Sequence, residues 1–158
     1  MPPVRFVTFD CAETMIRVTW TPAKMADESA RAIGLTLPDG APVAYARLFA
    51  ARAGDYLDAH LPGSEGLDAF WRELGRDWLG GYGLEDRLDE FAAEADRRAY
   101  DPAHGWFAAY PDVAPALREM RSRGLRLAVI SNWDASLHRI LRVNGLTEFF
   151  EVVTASLE

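Results

Sequence analysis

Asp10, Thr14 and the Ser131-Asn132 pair are the residues whose types and spacing could do covalent chemistry. Asp10 follows at once on a β-branched and aromatic run, Val4 to Phe9, which reads as a buried strand. An aspartate at the carboxyl end of a central strand can act as a nucleophile or as a metal ligand. Thr14 stands four residues further on. Ser131-Asn132 closes a second apolar run, Leu125 to Ile130. The Ser131 hydroxyl and nearby backbone N–H groups can hold phosphoryl oxygens, helped by the N-terminus of the next helix. If the two strands are neighbours, all these groups meet at one rim of a sheet. The plainer reading of Asp10 is a loop or capping acid. That of Ser131-Asn132 is an ordinary strand-to-helix turn.

The elements that must position these residues follow from the rest of the pattern. Residues 17–105 show no strand and four helical stripes: Pro22 to Ile33, Pro42 to His60, a third capped by Ser64, and Glu85 to Tyr100. The second stripe places Tyr45, Phe49, Ala53, Tyr56 and Leu57 inward. The third places Leu67, Phe70, Trp71, Leu74 and Trp78 inward. Together they suit a small antiparallel bundle. After it, Asp112 reads as the N-cap of a helix that reaches Arg123 and stops at Gly124. The strand Leu125 to Ile130, a helix from Ala135 to Val143 and a strand from Phe149 to Thr154 complete the order. Strands alternating with helices imply an α/β fold with a parallel sheet and right-handed crossovers. The expected domains are a core, 1–16 with 106–158, and an inserted helical cap, 17–105. The insert leaves at the carboxyl end of the first strand, where open α/β sheets bind ligands. There it is expected to cover the site and exclude water.

Composition narrows the class. The chain has 158 residues, 49% hydrophobic, with a formal net charge of −7. That balance disfavours non-specific binding to nucleic acid or to an anionic membrane. No run approaches the roughly 20 apolar residues that span a bilayer. The single cysteine, Cys11, excludes an intrachain disulfide framework and a cysteine-rich zinc site. A cytoplasmic protein is expected. Cys11 beside Asp10 admits a thiolate nucleophile with His60, His104 or His138, although a small buried filler is the simpler reading. Lys24 is the only lysine among 17 basic residues.

The stretches FVTFDCAET and LRLAVISN resemble the two leading motifs of the haloacid dehalogenase-like (HAD) hydrolase superfamily. That family writes an apolar strand followed by Asp-x-Asp-x-Thr, then an apolar strand followed by Ser or Thr, often with Asn. Tyr110-Pro111-Asp112-Val113 and the Gly124 stop also resemble members with a helical cap after the first motif. The resemblance implies a Rossmann-like core and an aspartyl intermediate at Asp10. Ser131 would contact the transferring group, and Asn132 would orient the loop or reach the substrate. It implies Mg²⁺ on the Asp10 carboxylate and the Ala12 carbonyl, and a small, phosphorylated substrate. Thr14, Glu13 and Trp133 would support the loop and line the substrate.

Two departures bear on activity. The second acid of Asp-x-Asp is Ala12, and a methyl group transfers no proton. General acid–base catalysis contributes about 10²–10⁴-fold. Glu13 is the adjacent acid that could substitute. Family branches without that acid include phosphonoacetaldehyde hydrolases, which form a Schiff base on a lysine, and Lys24 is the one candidate here. Next, the resemblance implies a lysine or arginine after the third strand and an acidic pair after a fourth. Neither is visible, so the chain reads as stopping before them and as impaired or inactive alone. The expected partner is a second copy or a missing C-terminal segment, paired at an open edge of the first strand. A non-catalytic protein and a C–P or C–halogen hydrolase are the rival readings.

Overall fold

The computed structural model describes residues 5–59 and 63–157. Along the chain run β1 (Phe6–Phe9), β2 (Ile16–Val18), α1 (Pro22–Ala32), α2 (Ala41–Ala51), α3 (Ala53–Asp58), α4 (Ser64–Gly80) and α5 (Leu88–Ala99). β3 (Phe107–Ala109), α6 (Val113–Ser122), β4 (Arg126–Asp134), α7 (Leu137–Val143) and β5 (Val152–Leu157) follow. They form two compact units. One joins the residues up to Thr19 to those from Tyr100 on; the other is Trp20–Ala99.

The first unit is built on a parallel sheet in the order β1-β4-β5. Both crossovers step the same way across it, and right-handed crossovers then place both helices on one face. That face is packed: Leu127, Val129 and Ala155 meet Val113 and Leu117 of α6 and Leu137, Ile140 and Leu141 of α7 in one core. Among the described residues β4 lies between β1 and β5, and β1 pairs on one side only, the open edge expected of the first strand. β4 also runs past the expected end at Ile130. It keeps pairing with β5 at Ser131↔Ala155 and, after a register shift, at Asp134↔Leu157. Ser131 and Asn132 therefore lie within a strand rather than after one.

Three local differences have identifiable causes. The last strand begins at Val152, because Thr147–Phe149 forms a 3₁₀ turn that sends Phe149 into the core. α7 begins at Leu137, because Ser136 N–H donates to Asp134 Oδ1 at 2.8 Å in a tight turn. β2 and β3, three residues each, form an antiparallel pair that the sequence pattern does not announce. The edge of β3 is closed by a side chain. Asn144 Oδ1 accepts from Ala109 N–H at 2.8 Å, and Asn144 Nδ2 donates to the carbonyls of Phe107 and Ile140. Asn144, the residue just after α7, thus acts as a surrogate strand.

The second unit is helical. Tyr45, Leu67, Phe70, Leu74 and Trp78 are buried, as their spacing predicts, and so are Leu88 and Phe91. Tyr45 meets Trp78 edge to face at 5.3 Å, and Trp78 Nε1 donates to the Ala41 carbonyl at 2.9 Å. The expected helix 42–60 is two helices that break at Arg52, whose backbone leaves helical geometry. The break turns the second stripe: Ala53 and Leu57, expected inward, are exposed. Arg52 uses the bend to reach Asp55, Asp77 and Glu73 from one guanidinium. α4 starts at Ser64 with Gly63, not Ser64, in the capping position. His60 lies outside the described residues.

Candidate active site

Asp10 is the first residue beyond β1, and β1 pairs with β4 through Phe9↔Val129. Two steps further along β4 stands Ser131. The parallel register therefore brings the two side chains together without help from either loop. Ser131 Oγ donates to Asp10 Oδ1 at 2.8 Å, and Cys11 N–H donates to Ser131 Oγ at 3.2 Å. Thr14 Oγ1 donates to the other carboxylate oxygen at 3.2 Å. Ser131 is only 3% exposed, whereas Asp10 is open to solvent. A buried donor holds one oxygen and a loop donor the other, so the carboxylate is fixed while its outward lone pairs stay accessible.

The turn after Asp10 is wound tightly. The N–H groups of Thr14, Met15 and Ile16 all point to the Cys11 carbonyl, at 3.2, 2.9 and 3.0 Å. Glu13 takes φ +55°, left-handed for a residue that carries a Cβ. Its carboxylate turns to the β2–β3 pair. Oε1 accepts from Val18 N–H at 2.7 Å, and Oε2 accepts from the Tyr110 hydroxyl at 3.0 Å. That bond holds the Tyr110 hydroxyl above the usual phenol range. Both oxygens of Glu13 are thus engaged in fastening β2, and the hydrogen bonds of Asp10 do not include it. Ala12 offers only its methyl group and its carbonyl.

The end of β4 is tied down by residues the sequence reading did not single out. Ser156 Oγ, on β5, donates to Asn132 Oδ1 at 2.7 Å. This leaves the Asn132 amide N–H groups as the outward donors. The only signal in the sequence was that a strand passing alongside must end there. Trp133 Nε1 donates to Ser136 Oγ at 3.0 Å, and its ring packs at 5.7 Å from Phe107 of β3. Trp133 is thus a strut between the β4–α7 turn and β3. Both passages to the inserted unit leave from β2 and β3. Thr19 N–H donates to the Trp106 carbonyl, and Thr19 Oγ1 donates to the Gly105 carbonyl.

The other nucleophile candidates are placed differently. Cys11 is fully buried, and burial with the Asp10 charge beside it pushes its thiol up to about 12. A thiolate is suppressed there. Lys24 lies on α1 within 4.0 Å of Glu28. For Mg²⁺, the Asp10 carboxylate and the Ala12 carbonyl are hard oxygens of the right kind. They are two where the ion takes six, and among the described residues no three His, Cys, Asp or Glu side chains cluster. These residues alone do not make a Mg²⁺ site. Among the described residues no helix is long and apolar enough to cross a membrane.

No protein-family profile matches the chain. Curated proteins do. The human protein named haloacid dehalogenase-like hydrolase domain-containing protein 3 is 31% identical over 157 residues, 97% of this chain and 61% of its own length. Its zebrafish (Danio rerio) namesake is 28% identical over 158 residues, 98% of this chain and 64% of its own length. The chain thus spans less than two thirds of the curated relatives it matches. Among solved structures, a Bacillus subtilis protein assigned as a HAD-hydrolase and bound to magnesium superposes with a TM-score of 0.56 at 14% identity, over 97% of this chain and 65% of that one. A defluorinating L-2-haloacid dehalogenase superposes at 0.55 with 23% identity, over 97% and 60%. At such identities the structures speak for the fold alone. Matched in sequence over nearly all its length and sharing that fold, the chain is similar to haloacid dehalogenase-like hydrolases.

Proposed function

We propose that the chain carries the nucleophilic half of a HAD-type hydrolase site acting on a small, anionic substrate. An Asp10 oxygen attacks phosphorus or carbon, the bond to the leaving group breaks, and that group departs with the electron pair. An aspartyl phosphate anhydride (from phosphorus) or an aspartyl ester (from carbon) remains for water to open. The observation that carries this reading is the Ser131–Asp10 hydrogen bond at 2.8 Å, formed by parallel strand register at an open rim. Ser131 and Thr14 hold the carboxylate in one orientation, which lowers the entropic cost of attack. The outward amide of Asn132, fixed by Ser156, supplies donors to substrate oxygens. The inserted unit, expected over 17–105, serves as the specificity element, and the protein is placed in the cytoplasm.

Ala12 shapes the chemistry this half-site can perform. Without an acid at that position nothing protonates a poor leaving group, and nothing activates water afterwards. Leaving groups that depart as stable anions are favoured, and this supports C–halogen cleavage as a second reading. It also means that the aspartyl intermediate, once formed, accumulates. Mg²⁺ assistance belongs to this reading only where further ligands complete the ion's shell.

The test is intact-mass analysis of the 158-residue chain after incubation with 4-nitrophenyl phosphate plus Mg²⁺, and separately with 2-chloropropionate. The expected result is a stoichiometric adduct that maps to Asp10 and is absent from Asp10→Asn. A phosphoryl adduct supports the first reading and a carboxyethyl adduct the second. No adduct with either reagent would leave a non-catalytic binding protein as the better account. Rapid multiple turnover of a plain alkyl phosphate would contradict the role given to Ala12.

A further inference from the structure

Glu13 is an exposed acid in an unfavourable backbone setting. It sits in the turn that follows Asp10, at φ +55°, where a residue with a Cβ is disfavoured and glycine is not. Its own N–H donates to the Ile16 carbonyl at 2.8 Å, a bond that any residue with an N–H could make. The backbone of the turn therefore gives no reason for a long acid at this position. The side chain gives one. Oε1 accepts from Val18 N–H at 2.7 Å, and Oε2 accepts from the Tyr110 hydroxyl at 3.0 Å.

The two partners belong to the two arms of the β2–β3 ribbon. Val18 ends β2, and Tyr110 follows β3 directly. The Met15 carbonyl accepts from Tyr110 N–H, and Thr19 N–H donates to the Trp106 carbonyl. Alternation along β2 then turns Val18 N–H away from β3, where the Glu13 carboxylate meets it. One carboxylate thus fastens the Asp10 turn to both arms. The next residue, Thr14, donates to Asp10 Oδ2 at 3.2 Å. Ser131 holds the other oxygen from within a strand, so Thr14 is the support that depends on the turn.

We propose that Glu13 is a positioning residue for the nucleophile: its carboxylate, bonded to Val18 and Tyr110, fixes the turn so that Thr14 stays on Asp10. The inference rests on the role proposed above for Asp10. It gives Glu13 no part in proton transfer, because both its oxygens are turned to the ribbon. Without the fastening, the Asp10 carboxylate keeps one support and spends less time in the attacking orientation.

Glu13→Gly, Glu13→Gln and Tyr110→Phe test this beside the wild-type chain. The readouts are the rate of adduct formation at Asp10 and hydrogen exchange at the Thr14, Met15 and Ile16 amides, which needs no substrate. Glu13→Gly relaxes the backbone but removes both bonds, and is expected to slow the adduct about tenfold and to speed exchange. Tyr110→Phe leaves the turn itself untouched, removes one bond, and slows the adduct about two- to threefold. Glu13→Gln keeps an acceptor for Val18 N–H and offers a donor to the Tyr110 oxygen, so it stays within about twofold of wild type. A wild-type rate in Glu13→Gly would overturn the proposal. So would a Glu13→Gln variant as slow as Glu13→Gly, which would assign Glu13 a role in proton transfer. If the wild-type chain forms no adduct, the role of Asp10 fails and exchange decides alone. Amides loosened by Glu13→Gly and restored by Glu13→Gln support the fastening, and unchanged amides overturn it.

Discussion

The two units solve the burial problem in opposite ways. The inserted helices close on themselves: Tyr45 meets Trp78 and Phe91 edge to face, Phe70 meets Phe49, Tyr56 and Trp71 in the same way, and Arg52 gathers three carboxylates at the one bend. The α/β unit buries one face of its sheet and leaves the other wet. Its Asp10–Ser131 pair meets at the carboxyl rim of β1, where the register of parallel strands brings the two side chains together. The aromatic unit spends its sequence on stability, and the sheet unit spends part of its own on an open site.

That contrast can be broken first at the site. Asp10→Asn is expected to remove the covalent adduct entirely, a loss of about a thousandfold or more where turnover is measurable, since it deletes the nucleophile itself. Its effect on thermal stability is small, because an amide keeps an acceptor for Ser131. Adduct formation by this variant would show that the rim does no chemistry through Asp10. In the helical unit the order of effects reverses. Trp78→Ala removes a buried ring and the bond to the Ala41 carbonyl, and is expected to cost about 3–5 kcal/mol. Urea unfolding followed by tryptophan fluorescence measures it. A cost under about 1 kcal/mol would mean that the aromatic cluster is less tightly packed than its geometry implies.

Ser131→Ala tests whether the two demands meet in one residue. It frees the Asp10 carboxylate and leaves the buried Cys11 N–H without its acceptor, at about 1–3 kcal/mol. Both the adduct rate and the unfolding midpoint are expected to fall, and a fall in only one would separate them. The smallest effect is pH-dependent. Arg97, with Arg98, holds the Glu94 carboxyl down from its ordinary 4.5 to about 2. The sign follows from a depressed native value: the contribution is complete above about pH 4.5 and is lost as pH falls toward 2. Glu94→Gln should flatten the acid limb of the stability profile in that window and leave neutral pH little changed. An unaltered acid limb would assign the acid sensitivity elsewhere.

Much of the site was legible because apolar runs announce where they stop. Asp10 after Phe9 and Ser131 after Ile130 follow from where apolar runs stop, and parallel pairing then aligns them. What stayed hidden was short or non-local. β2 and β3 span three residues each, too few for a period to show. Ser156 matters only because β5 lies beside β4, and Asn144 only because α7 ends beside β3. The break at Arg52 hides for another reason: the stripe continues in helical phase through a residue whose charge partners lie on another helix. Glu13 misleads in the same manner. Adjacency to Asp10 suggests shared chemistry, whereas its left-handed backbone turns it to Val18 and Tyr110.

The surrogate-strand role of Asn144 restricts what can occupy that position. It must offer an acceptor to the Ala109 N–H and donors to the carbonyls of Phe107 and Ile140, all at short reach. Asp keeps the acceptor but sets a negative charge against two carbonyls. Ser has too few hydrogens, and Gln places the same amide one methylene too far. Of the twenty side chains, one short amide satisfies all three neighbours. A position that looks like routine helix punctuation therefore has an alphabet of a single letter.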